Sequence, residues 1–580
     1  LMEWQRFQAS WVPITELFQR EEVRSLMLHQ NNKFAAIQRK WTSFARFVSK
    51  DSRMLNVSLY PNIQDVLTEN IQSCEAILIA FVKFIDHERA LQPRLYFLSN
   101  DEVLILMTTT SFKLFSQTTT KMFVGLRDLD CFESDPLDEI TINKTKIFSL
   151  IDTFGDKFKL TKYISCNAPL HGWVSTTIEQ MQSSMKGFFT SYFDALHQPL
   201  FKDLCESTPI YLLFLLSLIE YSRSDNRQQF LEDRLALVRE LLPKNPLKYS
   251  NLMLILMGIK EGFPMMKYSQ QSQCIRLVLE NYVMEFQNEF WGKVPRIAVT
   301  SLHSKILRQI LFTSSNTQST VVYGEDFCGK TLLTKTAACI SGQFYYFARY
   351  YPKYPSYFFQ RVLLGTLLTG AWTQFDRIER FIYSNLCEVA EFLHCISQQT
   401  PKVPIGGRIL DINHNARVFF TASHDFLNVE SIPSNLKSLM RPLWISHVNC
   451  IDVISMILSC GGFQNHESLA KRGERLFSSL LTNYQNLLTK QEAFRLFIKI
   501  SNIAINLLTD LDSEDMALAK AFGTILKLKF PNNQQSITQL IVDTFGQFQY
   551  DDDTFKQQIL NKNNLDNLGT AAEYLINQTC

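Results

Sequence analysis

The chain of 580 residues carries 58 Lys and Arg against 56 Asp and Glu, and 46% of its residues are hydrophobic. This length and apolar content predict several domains with sizeable cores, while the balanced charge argues against a nucleic-acid partner, since such proteins are strongly basic. The longest apolar run, residues 210–219, is too short to span a bilayer, so we expect no membrane partner either.

The first half of the chain has the apolar periodicity of packed helices. Up to about residue 89, apolar residues recur every three or four positions in stripes such as Trp4, Phe7, Trp11 and Ile14. A polar break at about residues 51–62 separates two helical blocks. Residues 131–162 contain alternating positions that predict a short pair of strands, and helical patterns resume from 177 to 288.

At about residues 291–295 the pattern changes to alternating strands and helices, and we place a domain boundary there. Residues 324–331 (GEDFCGKT) then fit G-x-x-x-x-G-K-[ST], a loop that binds nucleotide phosphates. A β-branched run precedes this loop and a helical pattern follows it, so its glycines lie on a strand-to-helix turn that favours anions. The alternative is a glycine turn that matches by accident. We expect nucleotide to be bound by Gly324, Gly329, Lys330 and Thr331.

The phosphate loop contains residues that disfavour tight binding. Phe327 stands where such loops keep a small residue that lets the backbone wrap the phosphates. Glu325 and Asp326 place negative charge beside a polyphosphate. We therefore expect weak nucleotide binding.

A magnesium-dependent nucleotide hydrolase also needs a carboxylate at the end of a neighbouring strand. Residues 367–376 form an apolar stretch that ends in Asp376, which we predict to hold Mg²⁺ together with Thr331. The alternative for Asp376 is a surface carboxylate at a strand end. Arg377 follows, and a guanidinium stays protonated and cannot act as a base. Glu379 would replace that base only if the strand bulged, so we name no catalytic residue.

Two further residues are candidates for sensing or stabilising phosphate. Residues 416–423 (ARVFFTAS) predict a third strand that ends at Ser423, a sensor candidate. Residues 433–442 (PSNLKSLMRP) predict a helix between two prolines with Arg441 at its C-terminal end. This arginine is a candidate for contacting a neighbouring module's phosphates. The alternative is a cation that complements the helix dipole.

Several of these segments together resemble the dynein heavy chains. Residues 370–376 (GAWTQFD) are similar to the family's G-A-W-x-x-F-D-E-F-N-R-I, and residues 433–442 to its P-D-N-L-K-A-L-F-R-P. Residues 294–302 (VPRIAVTSL) resemble P-R-L-V-I-T-P-L at the start of its first AAA+ module. Residues 91–102 (LQPRLYFLSNDE) resemble F-P-R-F-Y-F-L-S-N-D-E of its linker, and the opening E-W-x-x-x-Q-x-x-W pattern also matches.

The resemblance implies a mixed fold, in which a helical linker rod precedes an α/β AAA+ P-loop module with a helical small subdomain. It places the linker at residues 1–293, the large subdomain at 294–448 and the small subdomain at 449–549. Residues 550–580 would connect to a following module. It also implies ATP or ADP with Mg²⁺ as cofactors, and other dynein subunits or the remaining ring modules as partners.

The function implied is that of a linker lever and first AAA+ module for movement along microtubules, which the segment would contact only indirectly. The setting would be the cytoplasm and cytoskeleton, including the cilium or axoneme. Departures from the family pattern fall on the chemistry, however: Arg377 replaces its glutamate, Ser423 its asparagine and Phe327 a glycine. We therefore expect impaired hydrolysis. The alternative is a catalytically inactive structural or regulatory protein of a dynein or axonemal complex.

Overall fold

The computed structural model describes most of the chain in segments. These are residues 2–19, 21–50, 53, 60–109, 111–131, 146–166, 169–195, 199–279, 282–325, 328–349, 356–398, 402–405, 408–423, 432–446, 448–483, 489–508, 513–530 and 533–546. The predicted connection at residues 550–580 lies outside them. Two units are separately compact: Leu1–Phe123 with Arg127–Leu150 and Leu160–Gln180, and Val124–Leu126 with Ile151–Lys159 and Met181–Cys580.

The first unit begins with the predicted aromatic helices. Its helices are α1 (Met2–Gln19), α2 (Glu21–Leu26), α3 (Leu28–Lys50), α4 (Ile63–Leu91), α5 (Asn100–Thr108) and α6 (Phe112–Thr119). Helices α1 and α3 both pack on α4. The ring of Trp41 lies 4.8 Å from that of Phe7 and 6.0 Å from that of Trp4, so the aromatic stripe forms a helix–helix core. Helix α5 begins with a capping box formed by Ser99 and Glu102.

Two three-stranded sheets differ from the sequence prediction. Strands β1 (Asp128–Cys131), β2 (Lys146–Ile151) and β3 (Lys157–Ser165) form a sheet of three strands rather than a pair. Helices then run as predicted: α7 (Leu170–Asp194), α8 (Phe201–Ser207), α9 (Ile210–Arg223), α10 (Arg227–Leu241) and α11 (Pro246–Lys260).

The prediction of continuous helix to residue 288 is wrong after α11. Strands β4 (Met265–Ser269), β5 (Cys274–Leu279) and β6 (Tyr282–Glu285) form an antiparallel sheet. On β4 the exposed Lys267 lies between the buried Met266 and Tyr268. On β5 the exposed Arg276 lies between the buried Ile275 and Leu277. This period of two is that of a half-buried strand.

A five-stranded parallel sheet forms the α/β part of the second unit. Its strands are β7 (Ser319–Gly324), β8 (Tyr345–Ala348), β9 (Trp372–Phe375), β12 (Arg417–Ala422) and β13 (Met440–Ile445), in the order β13-β7-β12-β9-β8. The helices here are α12 (Ser301–Ser315), α13 (Lys330–Ile340), α14 (Ser356–Thr369), α15 (Tyr383–Ser397) and α16 (Ser434–Leu439), and β10 (Lys402–Ile405) pairs with β11 (Arg408–Asp411).

Strands β9 and β12 are buried along their whole length, as expected of a parallel sheet covered on both faces. In chain order β7 is followed by β8 at the far edge, and the chain returns through β9 and β12 before β13 joins the other side of β7. All carboxyl ends therefore point to one edge of the sheet, where open α/β sheets bind ligands. The predicted α/β fold and its three motif-bearing strands are confirmed.

The remaining described residues are helical, as predicted. Helices α17 (Cys450–Cys460), α18 (His466–Asn483), α19 (Lys490–Leu508), α20 (Glu514–Lys529) and α21 (Gln534–Phe545) pack around a cluster of phenylalanines. Phe522 lies within 5.6 Å, centroid to centroid, of the rings of Phe477, Phe497 and Phe545. Within the described residues, no helix is both long enough and apolar enough to cross a membrane.

A buried charge cluster joins the turn between β2 and β3 to helix α11. Lys248 lies 2.7 Å from a carboxylate oxygen of Asp156 and donates to the carbonyl of Cys205 at 2.9 Å. Asp152 accepts hydrogen bonds from the backbone N–H groups of Phe154 and Asp156. Burial, and next the charge of Asp156, raise the pKa of Asp152 to about 6. The cluster holds one cation for two carboxyl groups.

We expect Asp152→Asn to raise the stability of the chain at pH 8. Because the folded-state pKa of Asp152 lies above its ordinary value of 3.8, ionising it in the folded chain costs free energy. The gain should be roughly 1–3 kcal/mol at pH 8, should shrink as pH falls through 6, and should vanish near pH 4. Urea unfolding at several pH values measures it.

The matched control is Asp156→Asn, which leaves the buried Lys248 ammonium without its ion-pair partner and should be destabilising. A pH-independent effect of Asp152→Asn would contradict the raised pKa.

Candidate nucleotide site

The phosphate loop lies where the sequence predicts it, between β7 and the N-terminus of α13. Gly324 ends the strand at a φ of 152°, and Gly329 precedes the helix at a φ of 90°. A Cβ atom on Gly324 would lie 2.3 Å from the carbonyl oxygen of Ile445 on β13, so this position admits only glycine without a shift of the strand. Asp326 and Phe327 lie outside the described residues.

Lys330 and Thr331 open helix α13. The Lys330 ammonium donates to the carbonyl oxygens of Gly324 and Glu325, at 2.7 and 2.6 Å. It therefore folds over the start of the loop. The first N–H groups of any helix have no hydrogen-bond partner within the helix. In α13 these N–H groups follow Gly329, and the Lys330 ammonium lies over the same loop. This combination fits a bound polyphosphate.

At the neighbouring strand ends, Thr421 on β12 forms hydrogen bonds with the residues that follow β9. The Thr421 hydroxyl on β12 donates to Asp376 Oδ1 at 2.6 Å, and it accepts from the backbone N–H of Arg377 at 2.9 Å. Asp376 thus lies directly after β9, as predicted. The sequence reading missed Thr421. The only sequence feature that points to Thr421 is its place near the end of an apolar strand. The structure shows that this strand pairs with β9.

Arg377 turns the chain out of the strand. Its φ of 55° is left-handed, and Ile378–Arg380 form a 3₁₀ turn. Glu379 Oε1 consequently accepts from the backbone N–H of Ser423 at 3.3 Å, while Glu379 Oε2 is buried with no hydrogen-bond partner among the described residues. Glu379 therefore lies on the turn after β9 and not on the strand, which ends at Phe375. Ser423 lies at the strand end, as predicted.

Arg441 does not lie at a helix end. Helix α16 stops at Leu439, and Arg441 is the second residue of β13, paired with Thr320 near the start of β7. Pro442 is tolerated inside this strand because β13 is an edge of the sheet. Ile445, the partner of Gly324, lies four positions after Arg441, which is about 13 Å along a strand. The side chain is exposed and remote from the phosphate loop of its own module.

The residues present fit magnesium only in company with a nucleotide. A threonine hydroxyl and a carboxylate are the oxygen ligands that Mg²⁺ takes, and Thr331 and Asp376 both follow strands at the same edge of the sheet. In the part of the chain that the structure describes, no group of three His, Cys, Asp or Glu side chains could hold a metal by itself. Phosphate and water would have to supply the remaining ligands.

We expect Gly324→Ala to lower the thermal midpoint of the chain, because the added methyl group meets the backbone of β13. Backbone strain of this kind costs about 1–3 kcal/mol. The matched control is Gly329→Ala, which also has a positive φ but whose added Cβ would lie no closer than 3.4 Å to a neighbour. Equal losses in the two variants, measured by calorimetry, would contradict the importance of the β7–β13 contact.

Two family models match the chain. Residues 1–191 match dynein heavy chain, N-terminal region 2, and residues 286–579, just over half of the chain, match the hydrolytic ATP binding site of dynein motor region. Mouse dynein axonemal heavy chain 12 is 23% identical over 93% of this chain, and Caenorhabditis elegans cytoplasmic dynein 2 heavy chain 1 is 20% identical over 94%. The chain spans 18% and 14% of those two proteins, less than a fifth of their length.

Among solved structures, the Thermotoga maritima RuvB Holliday junction branch migration motor is 14% identical. The match covers 45% of this chain and 74% of that one, at a TM-score of 0.27, which is too low to support an argument. The identification rests on the two family models and on the order in which they match the chain. The resemblance drawn from the sequence motifs is confirmed: the chain belongs to the dynein heavy-chain family.

Proposed function

We propose that this chain is a dynein linker and first AAA+ module that binds ATP or ADP with Mg²⁺ and hydrolyses ATP poorly or not at all. The observation that carries the proposal is Arg377. It occupies the position directly after Asp376, where the family motif has a glutamate, and its backbone N–H is bound to Thr421. The residues proposed to bind nucleotide are present, whereas the position of the catalytic base carries the positively charged Arg377.

The binding half of the proposal rests on the phosphate loop. Gly324 and Gly329 have the left-handed backbone that the loop needs, and Lys330 lies over it. Thr331 and Asp376 would hold the magnesium ion, which when bound neutralises charge on the phosphate oxygens. Glu325, next to Gly324, is exposed and adds negative charge beside the phosphates, which weakens affinity.

The proposal of impaired hydrolysis rests on the residues around position 377, where the catalytic base is missing. A guanidinium cannot take a proton from water at working pH. Glu379, the nearest other carboxylate in sequence, is engaged with the backbone of Ser423. Ser423 itself has a shorter side chain than the asparagine of the family motif, so it reaches less far as a sensor. Arg441 on the exposed edge strand stays a candidate for contacting a neighbouring module.

For the longer protein we propose the family's organisation. Residues 1–293 would form the linker, 294–448 the large subdomain and 449–549 the small subdomain, with 550–580 leading to a following module. The linker would act as a lever for movement along microtubules, with other dynein subunits or ring modules as partners, in the cytoplasm, cytoskeleton or cilium. The second candidate, an inactive structural or regulatory protein of a dynein or axonemal complex, is favoured by the same Arg377.

We expect the chain to bind a fluorescent ATP analogue in the presence of magnesium, and Lys330→Ala to weaken that binding. A hydrogen bond to a charged group contributes about 1.5–3 kcal/mol, so the affinity should fall about 10–100-fold. The matched control is Lys305→Ala, which removes an exposed lysine of α12 and should leave the affinity unchanged. An equilibrium titration in which neither variant changes the affinity would contradict the proposed site.

We expect phosphate release from ATP at the background rate, and a gain in Arg377→Glu. A positioned base supplies about 10²–10⁴-fold on its own, so even an imperfect glutamate should raise the rate at least about tenfold. Arg377→Gln is the matched control, because it removes the cation without providing a base.

Steady turnover by the unmodified chain would overturn the proposal. A gain in Arg377→Gln as large as that in Arg377→Glu would show that the cation, rather than the missing base, limits the rate. Absence of analogue binding would favour the inactive structural protein.

A further inference from the structure

A buried histidine connects the N-terminus of helix α12 to the phosphate loop. His303 is the third residue of α12 and is almost completely buried. Its Nδ1 accepts from the backbone N–H of Thr300 at 3.3 Å and lies 3.0 Å from the Thr300 hydroxyl. On the other side of the ring, Nε2 lies 3.2 Å from the carbonyl oxygen of Cys328. The two ring nitrogens therefore face two different segments.

The hydrogen-bond partners determine the ring's protonation. Because Nδ1 accepts from a backbone N–H, it carries no proton, and the neutral ring must carry its proton on Nε2. That proton can only be donated to the Cys328 carbonyl. Burial lowers the pKa of His303 and the bond to Cys328 partly opposes this, so the ring is neutral at pH 7.

The bond to Cys328 sets the direction of a loop N–H. In a planar trans peptide the carbonyl and the following N–H point in opposite directions. Holding the Cys328 carbonyl toward His303 therefore directs the Gly329 N–H away from α12. Gly329 has a φ of 90°, in the region that glycine enters readily. The Cys328–Gly329 peptide is therefore free to rotate unless a hydrogen bond holds it.

We propose that His303 is a positioning residue for the phosphate loop, which holds the Cys328–Gly329 peptide so that its N–H faces bound phosphate. This inference rests on the nucleotide binding proposed above. A helix cap alone needs only an acceptor at this position, and glutamate or glutamine usually supplies it. The second ring nitrogen, which donates to Cys328, is not needed for the cap.

Two substitutions separate the cap from the anchor. His303→Gln offers an acceptor to Thr300 and a donor to Cys328, so it should keep both contacts. His303→Glu offers an acceptor to Thr300, and so keeps the cap, but it faces the Cys328 carbonyl with a carboxylate and loses the donor. Ser301→Glu is the matched control, because it adds the same charge at the exposed first residue of α12.

The readout of loop anchoring is alkylation of Cys328, which needs no nucleotide. The Cys328 thiol is buried and its pKa is raised by that burial, so it reacts slowly while the loop is held. Cys339, fully buried in α13, serves as the internal control for general unfolding. Peptide mass spectrometry of the whole chain, treated with iodoacetamide, follows both cysteines in one sample.

We expect His303→Glu to raise the Cys328 alkylation rate at least fivefold with Cys339 still protected. The affinity for the fluorescent ATP analogue should fall about tenfold, as for the loss of one hydrogen bond near charge. His303→Gln and Ser301→Glu should match the unmodified chain in both measurements. Unchanged alkylation and affinity in His303→Glu, with binding intact in the unmodified chain, would overturn the inference. No analogue binding by the unmodified chain would instead overturn the proposed function, and with it the positioning role.

Discussion

The parallel register of β7, β12 and β9 is the constraint on which the candidate site depends. Thr421 on β12 is paired with Val322 on β7, and Phe420 with Phe375 on β9, so three chain segments separated by about fifty residues end at the same edge of the sheet. The Thr421 hydroxyl then bonds both to the Asp376 carboxylate and to the Arg377 N–H. Without that register the phosphate loop and the carboxylate proposed to hold magnesium would not share an edge, and neither motif alone would form the proposed site.

Nucleotide binding and hydrolysis place different demands on this edge. Binding needs a loop backbone with the right curvature and a cation, and we propose that Gly324, Gly329 and Lys330 supply them. Hydrolysis needs a group that orients and deprotonates water, and position 377 carries a guanidinium instead. The left-handed backbone of Arg377 also moves the next carboxylate, Glu379, against Ser423. A module of this kind suits a nucleotide that stays bound and stabilises one conformation of the chain.

Much of the fold follows from periodicity and from motif context. The aromatic stripes of α1 and α3, the strand before the loop and the strands that end just before Asp376 and Ser423 all lie where the sequence predicts them. The β4–β6 sheet was missed because its strands are only four to six residues long. Arg441 was assigned to a helix end because Pro442 suggests a stop, whereas an edge strand also tolerates proline. Contacts such as Thr421–Asp376 and His303–Cys328 join residues 45 and 25 positions apart, and no local pattern predicts them.

The most direct test of the central claim is the identity of the nucleotide that the chain retains. The chain would be incubated with ATP and magnesium for many minutes, separated rapidly from free nucleotide and denatured, and the released nucleotide identified by ion-exchange chromatography. The account predicts that ATP is recovered intact. Recovery of ADP in place of ATP would contradict impaired hydrolysis.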